Sequence, residues 1–489
     1  MSPARKRGRR EARCGRAWRA GKRGGRTASY ARQGEHETMR SYYYAVIGNS
    51  AAAVNACDAI RGIDGGGSLA VFSEEKYRCY SRPLISYLVA GEIGAQGMYY
   101  RPAKYYHRMG IDFHPGAKVV SLDPSRRLLS SSDGEKVKWR KLLLATGFLP
   151  FIPPIEGLEE VDYLTFISWD DARRMMRLTS RPVASLVIGA GLIGMKAAEA
   201  LHARGGAVTV VEKMDRILPM ALDERASAMV SERCRRAHIE IVTGQSVSRV
   251  EARGGHRGKA LLEDGSEIPF DLLVVAVGVR PRVELAEEAG LLCAGGVLVD
   301  EHQRTSHEDV FAAGDVAKTM DLVQGEPAVN ALWPIAALQG KYAGMNMAGR
   351  EVPYPGGNSM NAVEFFGLPV LSAGVVNPPD AAYEVITRQG EDEDYRKVVL
   401  RSDVLVGMLV AGNIERAGIL TSLIQERANV RRVKNFLLEE GFGHIHFPRS
   451  VREERIVEVV AGLPKTGREK TGGGKSGRDK AGRGKGRGR

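Results

Sequence analysis

Three glycines, Gly189, Gly191 and Gly194, stand in G-x-G-x-x-G spacing, and Glu212 follows 23 positions after the first. Residues of these types at this spacing can bind a dinucleotide. The first glycine allows a tight turn, and the second lets backbone approach a pyrophosphate. The third lets a helix lie close on a strand, and the acid accepts a hydrogen bond from a ribose hydroxyl. A second set, Gly48, Ser50 and Ala53 with Glu74 further on, repeats the arrangement with two glycines replaced by small residues. V-F-A-A-G-D at Val310–Asp315 then reads as a return to the first unit. Two such units imply two bound dinucleotides and an enzyme that passes electrons from one to the other.

Spacing alone proves little in a chain with 58 Gly among 489 residues. Gly472, Gly474 and Gly477 match the same pattern in a basic tail, with no strand before them and no apolar helix after. The elements around Gly189 make the difference. Val183–Ile188 is a short apolar, β-branched run that predicts a buried strand. Leu192–Arg204 has helical periodicity, with Leu192, Ile193, Ala197, Ala200 and Leu201 on one side. Gly205–Gly206 ends that helix, and Ala207–Val211 predicts the next strand, closed by Glu212. A diphosphate at such a helix start meets free N–H groups and the positive end of the dipole. The first unit predicts a strand at Tyr44–Ile47, a helix at Ala51–Arg61, a turn at Gly62–Gly67 and a strand at Leu69–Phe72.

The length allows about two to four domains. The net charge of +13 is unevenly spread: residues 1–40 hold 13 Lys/Arg against 3 Glu, residues 465–489 hold 10 against 2 acids, and −5 is left for the body. Both basic ends are too polar to bury a core and are expected to be disordered. The first has no apolar stretch after Arg9–Arg10, so no secretory or twin-arginine signal is expected, and a natural start at Met39 would account for it. Nucleic acid is expected only through these tails, by phosphate contacts without sequence preference. No apolar run approaches the ~18 residues of a membrane span. Cys14, Cys57, Cys79, Cys234 and Cys293 include no C-x-x-C, which points to a reducing cytoplasm and away from structural zinc. His444 and His446 are expected on one face of a terminal strand rather than on a metal.

L-L-L-A-T-G at Leu142–Gly147, V-V-A-V-G-V-R-P at Val274–Pro281 and V-F-A-A-G-D-V-A at Val310–Ala317 complete an ordered set with the two fingerprints. With them, the chain from about Arg40 to Pro448 resembles the FAD-dependent pyridine nucleotide–disulfide oxidoreductase family. It is most similar to the cysteine-free branch holding NADH–rubredoxin and ferredoxin reductases and the flavoprotein part of nitrite reductase. The resemblance implies an α/β fold of two Rossmann-like FAD- and NAD(P)-binding domains, the second inserted in the first, plus an α+β C-terminal interface domain that makes a homodimer. The expected FAD domain is 40–155 with 281–351, the NAD(P) domain 156–280 and the C-terminal domain 352–450, with basic segments 1–39 and 464–489 outside. The last domain is expected to hold strands at Val363–Phe366, Val370–Ala373, Arg396–Leu400 and Val404–Val410, then a helix at Ile419–Glu426.

By the same resemblance the first unit binds FAD, with Gly48, Ser50 and Ala53 at the pyrophosphate, Glu74 at the adenosine ribose and Val119 by the adenine. Ala145, Thr146 and Gly147 would be the crossover out of the FAD domain, and Gly278 the point of return. Gly314 and Asp315 would meet the ribityl chain and pyrophosphate, and Asn330–Gln339 would aim a helix end at the flavin pyrimidine. The nicotinamide cofactor falls to Gly189, Gly191, Leu192, Ile193 and Gly194. Glu212 would repel a 2′-phosphate and favour NADH over NADPH, while Lys213 and Arg216 pull the other way.

Two departures from the family bear on where electrons leave. In coenzyme A–disulfide reductases, NADH oxidases and peroxidases a redox cysteine lies in the stretch matching Tyr80–Leu88, and that position is Pro83 here. Cys79, four residues away, is expected to be a buried structural cysteine. Relatives also carry a Lys after R-P-x-L-S and a Glu two residues past the last fingerprint glycine, and these are Tyr87 and Lys196 here. Lys196 is expected near the flavin, favouring negative charge there, with Arg82 a charged wall on the acceptor side. The expected function is hydride transfer from NADH to FAD and then electron transfer to an external acceptor such as rubredoxin or ferredoxin. The alternatives are an NADH oxidase or a reductase of a small disulfide or quinone, and a flavoprotein that binds nucleic acid or an anionic surface through its basic tails.

Overall fold

The computed structural model describes residues 39–390, 393–449 and 452. The basic segment 1–39, apart from Met39, and the tail 464–489 lie outside them, and the expectations for those segments with them.

Tyr44 to Ile47 are buried one after another, so strand β1 (Arg40–Ile47) occupies the middle of a sheet rather than an edge. Helix α1 (Ala51–Arg61) leads from it to β2 (Leu69–Ser73), which pairs with β1 in parallel. After the short helix α2 (Ile85–Ala90), β3 (Ile111–Pro115) pairs with β2, and β4 (Lys136–Leu144) pairs with the other edge of β1, both in parallel.

The chain then leaves this sheet and builds a second one. β5 (Ala184–Ile188), α3 (Leu192–Ala203) and β6 (Ala207–Glu212) form a βαβ unit. β7 (Glu240–Thr243) and β8 (Leu272–Val275) complete a four-stranded parallel sheet in the order β7-β6-β5-β8. β9 (Val310–Ala312) returns to the first sheet and pairs in parallel with Leu142–Leu144 of β4. The second unit is therefore inserted between two adjacent strands of the first, as the two nested fingerprints imply.

Helix α4 (Trp333–Met347) crosses α1 at close range. A Cβ on Gly340 or Gly344 would collide with the Ala52 or Ala56 carbonyl, so the small residues of both helices let the backbones touch. The C-terminal sheet is antiparallel, in the order β10-β11-β14-β13-β12. Its strands are β10 (Met360–Phe365), β11 (Leu368–Gly374), β12 (Tyr383–Gln389), β13 (Tyr395–Arg401) and β14 (Val404–Ala411), and α5 (Ala417–Gln425) packs on it. β12 escapes a pattern search because it is an edge strand with mostly exposed side chains, so no apolar alternation marks it. The expectation that His444 and His446 share a strand face is corrected. They form a single 3-10 turn after Gly441 and Gly443, with the Gly443 N–H donating to His446 Nδ1 at 3.2 Å.

One buried polar cluster ties the second unit to the C-terminal sheet. Asp223 Oδ2 accepts from the Tyr395 hydroxyl at 2.7 Å and the Lys397 ammonium at 3.0 Å, while Oδ1 caps the helix Glu224–Arg236 at the Ala226 N–H. A paired, fully hydrogen-bonded charge of this kind is tolerated inside, whereas removing one partner strands the other.

Candidate active site between the two dinucleotide units

A cleft of about 1140 Å³ runs between the first sheet, which is mixed because Val119–Asp123 and Leu128–Ser131 add antiparallel strands beyond β4, and the second, parallel one, with part of one wall supplied by the C-terminal sheet. On the first-unit side, Gly48 has φ +116°, and a Cβ there would collide with the Ala145 carbonyl at the end of β4. Only glycine meets both demands. Ser50, Ala51 and Ala52 line the cleft at the start of α1, whose first turn carries no side-chain cap and so presents N–H groups to an anion. Ala53, within α1, is fully buried and is not among the cleft-lining residues, so it supports the helix start rather than facing the cleft.

Glu74, Lys118 and Val119 line the same end. The Glu74 carboxylate pairs with Arg282 and lies 3.3 Å from Lys118 Nζ. Burial would raise its pKa, but the Arg282 hydrogen bond and the two cations outweigh this and hold it below the usual carboxylate range. The two crossovers run side by side: Phe148–Pro150 pairs antiparallel with Val279–Pro281. The Thr146 hydroxyl donates to the Arg282 carbonyl, and the Arg282 N–H to the Gly147 carbonyl, both at 2.9 Å. Ala145, Thr146 and Gly147 line the cleft, while Gly278 only supports it, accepting the Phe151 N–H at 2.9 Å.

Gly314 and Asp315 follow β9. The buried Gln339 side chain accepts the Gly314 N–H at 2.7 Å and donates to Thr319 Oγ1 at 2.9 Å, fixing the turn. Asp315 Oδ1 is buried at the cleft without a hydrogen-bond partner. Burial pushes the carboxyl up to about 6, against the opposing charge of Arg82. A buried acceptor left empty by the protein fits a polyol hydroxyl, and this is where the residues best match the ribityl chain of FAD. Arg82 donates to the Ile167 carbonyl at 2.6 Å and to Glu75 Oε1 at 2.9 Å, so its charge is held in place. Ala331, Leu332 and Trp333 bring the uncapped start of α4 to the same cleft.

On the second-unit side, Gly189 has φ +101°, and Gly194 packs so tightly that a Cβ would collide with the Gly189 carbonyl. Gly191 differs: a Cβ there meets no atom within 4 Å. Its smallness serves space left open at the start of α3, where a pyrophosphate fits. Glu212 accepts from the Ala190 N–H at 2.7 Å and the Met214 N–H at 2.9 Å, so it shapes the turn as well as offering lone pairs to a ribose. Of this unit, Leu192, Ile193 and Lys196 of α3 line the cleft, as do Pro83 and Tyr87, whereas Gly189, Gly191, Gly194 and Glu212 are not among its lining residues.

Lys196 is among the cleft-lining residues, and its ammonium pairs with Glu199 and lies 5.0 Å from the centre of the Tyr87 ring. Glu199 escaped sequence reasoning because an i,i+3 Lys–Glu pair reads as an ordinary solvated helix face. Arg282 and Lys118 were missed because only the fold brings them to Glu74. No cysteine stands among the cleft-lining residues. Cys79 is fully buried, and burial pushes its thiol up to about 12. Among the described residues no cluster of three His, Cys, Asp or Glu could hold a metal, and no helix is long and apolar enough to cross a membrane.

Residues 42–339 match the family described as pyridine nucleotide-disulphide oxidoreductase, and residues 360–428 match the rubredoxin NAD+ reductase C-terminal domain. The epsilon subunit of an NADH-dependent phenylglyoxylate dehydrogenase from Aromatoleum evansii is 33% identical, over 80% of this chain and 93% of that one. A rubredoxin-NAD(+) reductase from Ectopseudomonas oleovorans is 32% identical, over 56% of this chain and 71% of that one. Among solved structures, an NAD-dependent persulfide reductase from A. fulgidus superposes with a TM-score of 0.75 at 27% identity, covering 85% of this chain and 83% of that one.

Proposed function

The chain belongs to the pyridine nucleotide-disulphide oxidoreductase family and is an NAD(P)H-dependent flavoprotein reductase, and from that premise we propose that it takes electrons from NADH and delivers them to a small electron-transfer protein such as rubredoxin or ferredoxin. A bound FAD would supply the chemistry of hydride acceptance from a reduced nicotinamide and of onward electron release. The observation that carries the proposal is the cleft itself: both dinucleotide units meet in it, and Pro83 stands where a thiol would be needed to take the electrons within the chain. FAD would be held by Gly48, Ser50, Glu74, Val119, Ala145, Thr146, Gly147, Gly314 and Asp315. NADH would be held by Gly189, Gly191, Leu192, Ile193 and Glu212, with Gly194 packing the helix start behind them. Arg82, paired with Glu75, and Lys196, paired with Glu199, place basic side chains at the cleft wall. The match of 360–428 to a rubredoxin reductase domain supports a protein acceptor.

A second reading has its own support. The likeness to a subunit of an NADH-dependent dehydrogenase favours a chain that works inside a larger assembly, with its redox partner another subunit. A small-molecule acceptor (oxygen, a disulfide or a quinone) is the third. Steady-state NADH oxidation against purified rubredoxin, ferredoxin, oxygen, a disulfide and a quinone separates these readings. The proposal expects turnover with an iron–sulfur protein to exceed the others at least about tenfold and to be unaffected by thiol alkylation. Faster turnover with the disulfide, abolished by alkylation, would overturn it. Homodimer formation through the C-terminal sheet and residence in a reducing cytoplasm complete the proposal. The free thiols of Cys57, Cys79, Cys234 and Cys293 support that compartment.

A further inference from the structure

The cleft wall formed by α3 carries a charge arrangement that the dinucleotide fingerprint does not require. The Lys196 side chain, 18% exposed, pairs with Glu199, 23% exposed, and donates to the Glu364 carbonyl at 3.3 Å. Its ammonium lies 5.0 Å from the Tyr87 ring centre and 6.0 Å from that of Phe365. The other oxygen of Glu199 accepts the Phe366 N–H at 2.8 Å, in the turn joining β10 to β11. Phe366 sits at φ +48°, a left-handed conformation that a bulky side chain adopts only when its surroundings enforce it. Its ring lies edge-on to His202, at 6.1 Å. Residues 196, 199 and 202 follow at three-residue steps on one face of α3, and that face meets the hairpin. The same hairpin carries Val363 and Glu364 into the cleft lining. One carboxylate therefore neutralises a cation at the cleft and pins the strand that forms part of its wall.

We infer that Glu199 is a positioning residue of the redox site. It sets how much of the Lys196 charge reaches the bound flavin and holds β10 closed on the nicotinamide helix. A free ammonium at the cleft wall would stabilise the electron-rich state of the flavin and raise its potential. Held by Glu199, the pair is near neutral, so the potential stays low enough to drive electrons onward. The inference rests on the functional assignment above.

The test compares FAD-loaded wild type with Glu199→Gln, Glu199→Ala and the double variant Lys196→Met/Glu199→Gln. Glutamine keeps the oxygen that Phe366 needs but removes the charge. Glu199→Gln is expected to raise the flavin midpoint potential while leaving the KM for NADH within about twofold. Glu199→Ala, which also frees the hairpin, is expected to raise that KM about tenfold, the size of one lost charge-assisted hydrogen bond. The double variant is expected to lose the rise in potential. A Glu199→Gln protein at the wild-type potential, or a rise that survives in the double variant, overturns the inference. FAD uptake by the wild type and its bleaching by NADH are measured first. Their failure would remove the functional assignment, and this inference with it, whereas a failure confined to the variants leaves that assignment intact.

Discussion

Asp315 shows most plainly how the site is built around something the protein does not supply. Its Oδ1 is buried with no partner, and burial raises the carboxyl to about 6, with only Arg82 opposing. For a carboxylate raised in this way, the uncharged form suits the fold, so its share of stability is complete below the ordinary pKa of about 4 and is lost as pH climbs through the folded value. The FAD-free wild type should therefore fall behind Asp315→Asn in melting temperature as pH rises from 4 to 7. The gap should correspond to at most about 3 kcal/mol. Parallel melting curves for the two proteins across that range would contradict it. With FAD, Asp315→Ala should bind about tenfold to a hundredfold more weakly, which fluorescence titration measures. Most of these residues were legible because fingerprints fix types at fixed spacing. Their partners were not: Arg282 meets Glu74 from 208 positions away, a contact that only the paired crossovers create.

At the scale of elements, three glycines with one signature do different work. Gly194 is pressed against the Gly189 carbonyl, whereas Gly191 faces open space at the start of α3 with φ −74°, which any residue adopts. Gly194→Ala should destabilise the chain by about 1–3 kcal/mol, the usual penalty for overpacking, and lower its melting temperature. Gly191→Ala should leave melting nearly unchanged yet weaken NADH binding at least about tenfold, because its methyl intrudes only where a pyrophosphate would sit. Equal losses of stability in both variants would contradict this division. The βαβ elements were readable because continuous apolar strands and a small-residue helix leave strong periodic marks. β12 and the His444–His446 turn were not, since an exposed edge strand and a short glycine-flanked turn leave none.

At the scale of the molecule, inserting one parallel sheet between β4 and β9 of another brings three helix starts, those of α1, α3 and α4, and two crossovers to one cleft. Residues of both dinucleotide-binding units then line one cleft, with no cysteine among the lining residues. Stacked order along the sequence announced this nesting. The part of the wall built by the C-terminal hairpin was hidden, because Val363 and Glu364 belong to no motif and reach the cleft through packing of the hairpin on α3, while Ile414, after β14, joins them. If the cleft is the whole redox apparatus, the FAD-loaded protein stores electrons on its flavin alone. Anaerobic titration with NADH tests that most directly. The visible flavin absorbance should bleach fully at about one equivalent of NADH per flavin, with no change in the number of titratable thiols. Bleaching that needs about two equivalents and exposes new thiols would reveal a second, cysteine-based acceptor in the chain and contradict the account.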